Sequence, residues 1–219
     1  MQSKTKKLTV LAMLSAMAYI VMVVGRIPIV LFLKYDPKDV IIVIAGFIYG
    51  PLSAFMISLA VSLVEMFTVS DNGFIGFFMN ILSSCALACT ASFIYKKRRT
   101  ASGAVIGLAA GLVLAVAAMM LWNYFVTPIY MGMPREAVAG MLLPVFLPFN
   151  VLKHGLNLGI TLLLYKPLVV ALRKAHMIPE ENRAPGGAHS RKLTVGVVLL
   201  GAGVVITCVM VVLVMNGIL

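Results

Sequence analysis

Acidic residues are scarce in this chain. Its 219 residues include 7 Asp and Glu against 18 Lys and Arg, and charged residues of all kinds make up only 11%. A soluble domain carries about 25% charged residues to keep its surface in water. The shortage excludes an ordinary soluble fold. The formal charge of +11 then reads as the loop bias of membrane proteins, not as affinity for nucleic acid. Cysteine is also sparse: Cys85, Cys89 and Cys208 all lie in apolar runs. Cys85 and Cys89 share a helical face at i,i+4, but small buried residues explain them better than a disulfide or a metal pair. No GxxxxGKS/T motif is present, which excludes ATP hydrolysis by a P-loop, and HExxH, CxxC and GxSxG are missing as well. No tandem repeat is visible.

What is abundant is apolar sequence. Hydrophobic residues reach 62% and the mean hydropathy is +1.06. A bilayer core of about 30 Å needs roughly 20 helical residues. Runs that satisfy or approach this length occupy 8–24, 40–64, 74–95, 104–125, 141–172 and 193–214. The N-terminus resembles a signal peptide but lacks a small-x-small cleavage site, so it reads as a retained first span. Gly50-Pro51 interrupts the second run, and charge decides how to count it. Basic clusters at Lys4, Lys6, Lys7, at Lys96, Lys97, Arg98, Arg99 and at Arg173, Lys174, Arg183, Arg191, Lys192 belong on the cytoplasmic side. They share a side only if 40–64 crosses twice. Asp36-Pro37 and Gly50-Pro51 both suit helix starts. The expectation is an all-α polytopic membrane protein with seven spans. Its N-terminus is inside and its C-terminus outside. Outer loops 26–36, 70–73 and 127–140 then carry Asp36, Asp71 and Glu136. Organisation follows as a six-span domain (1–175), a cytoplasmic linker (176–192) and one extra C-terminal helix (193–219).

Polar side chains at membrane depth are expensive and mark a cavity or a partner. Glu65, Asn80, Asn123, Asn150, Lys153, His154 and Asn157 fit that description. Asn150 and Lys153 are i,i+3 and project from one helical face. Pro144 and Pro148 just before them break the helix, and broken helix at depth is tolerated where it lines a cavity. Asn123, Asn150 and Lys153 lie at one depth and read as a ligand site, while His154 and Asn157 read as packing residues. Ala12 and Ala16 on the first span, and Gly103, Gly107 and Gly111 on the fifth, form small-residue stripes where helices approach closely. The glycines read as packing within the chain; composition does not choose for the alanines.

The segments FLKYDPKDVIIVIAGFIYGP (32–51), MNI (79–81), NYFVTPIY (123–130) and LPFNVLKHGLN (147–157), in that order, resemble the riboflavin-specific substrate-binding S components of energy-coupling-factor (ECF) transporters. The resemblance covers residues 8–175. It implies a six-helix bundle that binds a vitamin on the outer side. It also implies docking onto a membrane T subunit driven by two cytoplasmic ATPases, with Ala12 and Ala16 on the docking surface. The last span departs from this pattern. An Asn on helix five and an Asn-x-x-Lys on helix six, here Asn123, Asn150 and Lys153, then read the flavin's pyrimidine edge. Asn amides supply both donors and acceptors, and the ammonium adds a charged donor.

Asp36, Lys38, Glu65 and Asn80 are the expected ribityl partners. Tyr35 and Tyr130 are expected to cap the ring or to sit in an interfacial aromatic belt. No cofactor, metal or catalytic group is expected, and membrane lipid is the surrounding solvent. Two alternatives stand beside this reading. One is an S component for another vitamin, such as thiamine, biotin or a queuosine precursor. The other is an intramembrane enzyme built on Cys85, His154 or Glu65.

Overall fold

A computed structural model describes residues 4–30, 33–70, 72–176 and 188–215. Asp71, most of the linker with Arg183, and the last four residues lie outside the described part. Helix α1 spans Lys4–Val24, and a short antiparallel hairpin follows, β1 Ile27–Val30 and β2 Leu33–Tyr35. Helices α2 (Lys38–Tyr49), α3 (Pro51–Thr68), α4 (Gly73–Arg98) and α5 (Ala101–Phe125) come next. Two short helices, α6 (Thr127–Met131) and α7 (Arg135–Met141), lead through a π-helical turn at Leu142–Phe146 into α8 (Leu147–Lys174). Helix α9 occupies Ala188–Met215. The fold is the expected helical membrane bundle with one more helix behind it. Three expectations change: 26–36 is a hairpin and not an open loop, α9 begins at Ala188 and not at 193, and six helices among the described residues, not seven, are long and apolar enough to cross a membrane, α2 falling short.

The break at Gly50-Pro51 is real. Gly50 has φ 94°, a left-handed conformation that suits glycine, and Pro51 opens α3 where its missing N–H costs nothing. The turn lies at the basic end of the bundle. Lys7 sits over the Tyr49 ring at 5.6 Å, and a Cβ added to Gly50 would lie 3.9 Å from the Lys96 side chain. The hairpin, the end of α3, the start of α4 and the end of α5 therefore gather at the opposite end.

Helix α2 has 12 residues, about 18 Å of rise. It is short because its N-terminus starts inside the bundle: every residue from Lys38 to Phe47 is buried. Around it pack Val10, Leu14 and Ala18 of α1, Ile57 and Val61 of α3, Leu87 and Ala91 of α4, and Leu158 and Leu162 of α8.

The glycine stripe of α5 does pack within the chain. A Cβ at Gly107 would fall 2.7 Å from the Ala91 carbonyl oxygen, and one at Gly111 would fall 2.5 Å from that of Leu87. In lipid, where burial of apolar surface gives no drive between helices, such backbone proximity supplies the association energy. Gly111→Val should therefore destabilise the protein by about 1–3 kcal/mol, the usual cost of overpacking. A melting curve in detergent measures it, and an unchanged midpoint would show that α4 and α5 do not meet this closely.

Candidate functional site

The polar end of the bundle encloses a cavity whose room for water centres is about 110 Å³, enough for on the order of ten waters. Its walls come from six places. The hairpin contributes Leu33 and Lys34; the connection to α2 contributes Asp36; α3 contributes Glu65; α4 contributes Met79, Asn80 and Ser83; α5 and α8 contribute Met119, Asn123, Phe149, Asn150 and Lys153. Arg26, Ser70, Asn72, Gly76 and Tyr130 complete its lining. One wall is thus rich in amides and an ammonium, while Leu33, Met79, Met119 and Phe149 supply apolar surface. Convergent polar groups beside apolar surface are what a small-molecule site needs to orient its ligand, and here the polar groups predominate.

The helix break before α8 positions its two functional residues. The π-helical turn at Leu142–Phe146 contains Pro144, and Asn150 Nδ2 donates to the Phe146 carbonyl at 2.8 Å. That bond fixes the Asn150 rotamer. Asn123 is fixed from below: Thr127 Oγ1 donates to its Oδ1 at 2.9 Å. With the acceptor so engaged, the Asn123 amide keeps N–H donors, and Lys153 keeps donors beyond its bond to Asp36.

Behind the cavity runs a chain of buried charges. Arg26 Nη2 donates to Glu65 Oε1 at 2.5 Å, Lys38 Nζ to Glu65 Oε2 at 2.5 Å and Lys153 Nζ to Asp36 Oδ2 at 3.3 Å. Lys38 also lies 3.9 Å from Asp36. A second chain continues inward. Tyr35 donates to Asn157 Oδ1 at 2.9 Å, Asn157 Nδ2 to Asp39 Oδ2 at 3.3 Å and Ser84 Oγ to Asp39 Oδ1 at 2.5 Å. In these two chains three cations, Arg26, Lys38 and Lys153, face three acids, Asp36, Asp39 and Glu65, and Lys34 adds a further cation to the cavity lining.

Seven of the nine residues expected at the ligand reach the cavity: Asp36, Glu65, Asn80, Asn123, Tyr130, Asn150 and Lys153. Lys38 and Tyr35 do not line it, and both readings are corrected. Lys38 is 1% exposed because it is consumed by Glu65, and Tyr35 is buried against Asn157 and neither caps the cavity nor joins an interfacial belt. Asp36 lies in the connection between β2 and α2 and turns inward, 4% exposed. Asn157 holds elements together as expected of a packing residue, through hydrogen bonds to Tyr35 and Asp39. His154 is fully buried and neither ring nitrogen has a hydrogen-bond partner among the described residues, so it forms no pair with a cysteine. Ala12 and Ala16 are exposed, on the face of α1 opposite Leu14 and Ala18.

Sequence reasoning missed Arg26, Lys34, Asp39, Ser70, Asn72 and Ser83. One signal was present. In the topology expected from the basic clusters, Arg26, Lys34 and Lys38 crowd around a connection on the side where cations are normally depleted, which demands acidic partners.

Such a helical membrane bundle, with an amide-rich cavity at one end and no catalytic constellation among its described residues, is a solute-binding membrane protein. Residues 6–165 match the family described as ECF transporter, substrate-specific component, and the chain belongs to that family. It is therefore a multi-pass membrane transport subunit and not an enzyme. It is 29% identical over 181 residues to Riboflavin transporter RibU of Staphylococcus aureus (strain TCH60), covering 78% of this chain and 94% of that one. It is 27% identical over 191 residues to Riboflavin transporter FmnP of Bacillus subtilis (strain 168), covering 80% and 99%. A solved structure described as the S component of a bacterial ECF transporter superposes with TM-score 0.66 at 28% identity, covering 78% of this chain and 99% of its own.

Removing one member of a buried ion pair strands the other, at about 3–5 kcal/mol. Glu65→Ala leaves both Lys38 and Arg26 without their carboxylate and should lower the melting point sharply. Adding Lys38→Met should restore part of the loss. Additive effects in that double-mutant cycle would contradict the pairing.

Proposed function

We propose that this chain is the high-affinity riboflavin-binding subunit of an ECF-type uptake transporter in a bacterial cell membrane. The observation that carries the reading is that Asn123, Asn150 and Lys153 line one cavity together with apolar side chains of the hairpin, α4, α5 and α8. A flavin ring has an apolar dimethylbenzene end and a pyrimidine edge of alternating acceptors and donors. The amides match that alternation, and the ammonium suits a carbonyl oxygen. Phe149, Met79, Met119 and Leu33 offer the ring faces an apolar slot. Asn80, Glu65 and Asp36 then meet the ribityl hydroxyls near the rim. The names of the relatives from S. aureus and B. subtilis support the same ligand.

Sidedness follows from charge. The basic clusters lie at the end of the bundle away from the cavity, so the N-terminus is cytoplasmic, the cavity opens outward and the C-terminus of α9 is outside. The sequence carries no P-loop motif, so energy comes from partners: a membrane T subunit carrying two ATPases. Ala12 and Ala16, flanked on the same exposed stripe by Leu8 and Ile20, offer α1 as the docking face. The residues assigned to the ligand act by binding and orienting alone; affinity in the nanomolar range corresponds to about −12 kcal/mol.

Purified protein should quench riboflavin fluorescence on binding. Asn150→Ala and Asn123→Ala should each weaken it by about 0.5–1.5 kcal/mol, and Lys153→Ala, which removes a charged donor, by about 1.5–3 kcal/mol. Wild-type protein that leaves riboflavin fluorescence untouched would overturn the proposal. Separately, Ala16→Trp should abolish co-purification with the T subunit and leave riboflavin affinity unchanged; retained assembly would move the docking face elsewhere.

A further inference from the structure

Helix α9 lies outside the residues matched to the family, 6–165, and the flavin-binding reading leaves it without a role. Only 6% of its apolar window is buried, so what it does touch is informative. Its first contact is a seam with α8. A Cβ at Gly159 would lie 2.7 Å from Val205 Cγ2 and 3.0 Å from the Gly201 carbonyl oxygen, and one at Gly155 would lie 3.1 Å from Cys208 Sγ. Rising numbers on α8 meet falling numbers on α9, so the two helices are antiparallel and in backbone contact. Its second contact lies beyond the seam. Val205, Cys208 and Val212 pack against Ile29 of β1, Tyr35 of β2, and Phe149 and Leu156 of α8.

Those partners are the reverse side of the ligand cavity. Strand β2 presents Leu33 and Lys34 to the cavity, Asp36 follows it, and Phe149 lines the same space. A two-stranded hairpin is marginal on its own and needs a surface to pack on. Tyr35 anchors this one to Asn157 at a single hydrogen bond, and α9 adds the apolar backing. We infer that α9 is a strap: it holds the hairpin against α8, favours the closed arrangement of the cavity mouth and slows escape of the bound flavin. The inference rests on the riboflavin reading above. An element that stabilises the closed state more than the open one raises affinity by that difference, and in a fixed interface the gain falls mainly on the release rate.

The test uses the full chain and the rate of riboflavin release, followed by recovery of flavin fluorescence. Gly201→Leu wedges α9 off α8, since even a Cβ there would sit 3.0 Å from the Gly159 carbonyl oxygen. Release should accelerate about tenfold or more. A second variant guards against simple misfolding. Gly155→Cys places a Cβ 3.1 Å from Cys208 Sγ, close to the roughly 3 Å that separates a Cβ from its partner sulfur in a disulfide. With Cys85 and Cys89 changed to Ser, oxidation should lock the strap and slow release, and dithiothreitol should restore the faster rate. Failure of that disulfide to form would show that α9 is not seated here. Equal release rates in oxidised and reduced protein would show that the strap does not govern the mouth. Wild-type protein that binds no riboflavin would instead remove the ligand reading on which the strap depends.

Discussion

The structure depends on a charge-balanced cluster held inside a bundle that lipid surrounds. Arg26, Lys38 and Lys153 on one side and Asp36, Asp39 and Glu65 on the other are tied by contacts of 2.5–3.9 Å and by the donors Ser84 and Asn157. An isolated charge there costs several kcal/mol even after relaxation. The cluster therefore constrains the backbone around it. The chain must carry Asp36, Lys38 and Asp39 down into the bundle, so the hairpin folds inward and α2 begins below the rim. Asp39 in the first turn of α2 also meets the positive end of that helix. The brevity of α2 and the break at Gly50 are consequences of that descent.

The same cluster organises the cavity. Lys153 is held by Asp36 and so presents its ammonium without searching through rotamers. Glu65 is held by Arg26 and Lys38 together and offers a fixed carboxylate edge. Asn123 and Asn150 are each locked by one local bond, to Thr127 and to the Phe146 carbonyl. Preorganised groups lose little entropy when a ligand arrives, which is how a site without covalent chemistry reaches tight binding. The π-helical turn at Leu142–Phe146 belongs to the same economy of motion, because it aims α8 so that Asn150 and Lys153 share a wall.

Much of this was legible in the sequence, for physical reasons. Apolar runs long enough to cross a bilayer announce themselves, and the parity of basic loops resolved Gly50-Pro51 into a turn. Asn80, Asn123, Asn150 and Lys153 stood out because amides and an ammonium have no business in an oily helix. The hairpin did not stand out. Its strands are four and three residues long and owe their stability to packing on α8 and α9, a tertiary effect that no local pattern records. Once the hairpin was read as a surface loop, Tyr35 and Lys38 were assigned to the ligand when they belong to the framework, and Arg26 and Asp39 were overlooked. Asn157 reads as a structural residue from the sequence, but its partners Tyr35 and Asp39, 118 or more positions away in the chain, do not.

Charge balance also bears on the class of ligand that such a site accepts. A cationic heterocycle would have to take a carboxylate away from Arg26, Lys38 or Lys153 and leave that cation buried without its partner. A strongly anionic ligand would do the reverse to Asp36 or Glu65. Either exchange trades one buried pair for another and strands a charge, which is the costly outcome. A neutral ring with polar edges asks for neither. It uses amide donors and acceptors that are already exposed to the cavity, borrows spare donors from an ammonium that stays paired, and displaces water from apolar walls. A framework of matched ions behind a surface of amides is thus suited to a neutral, flat, hydrogen-bonding solute, and the ions serve chiefly to hold that surface still.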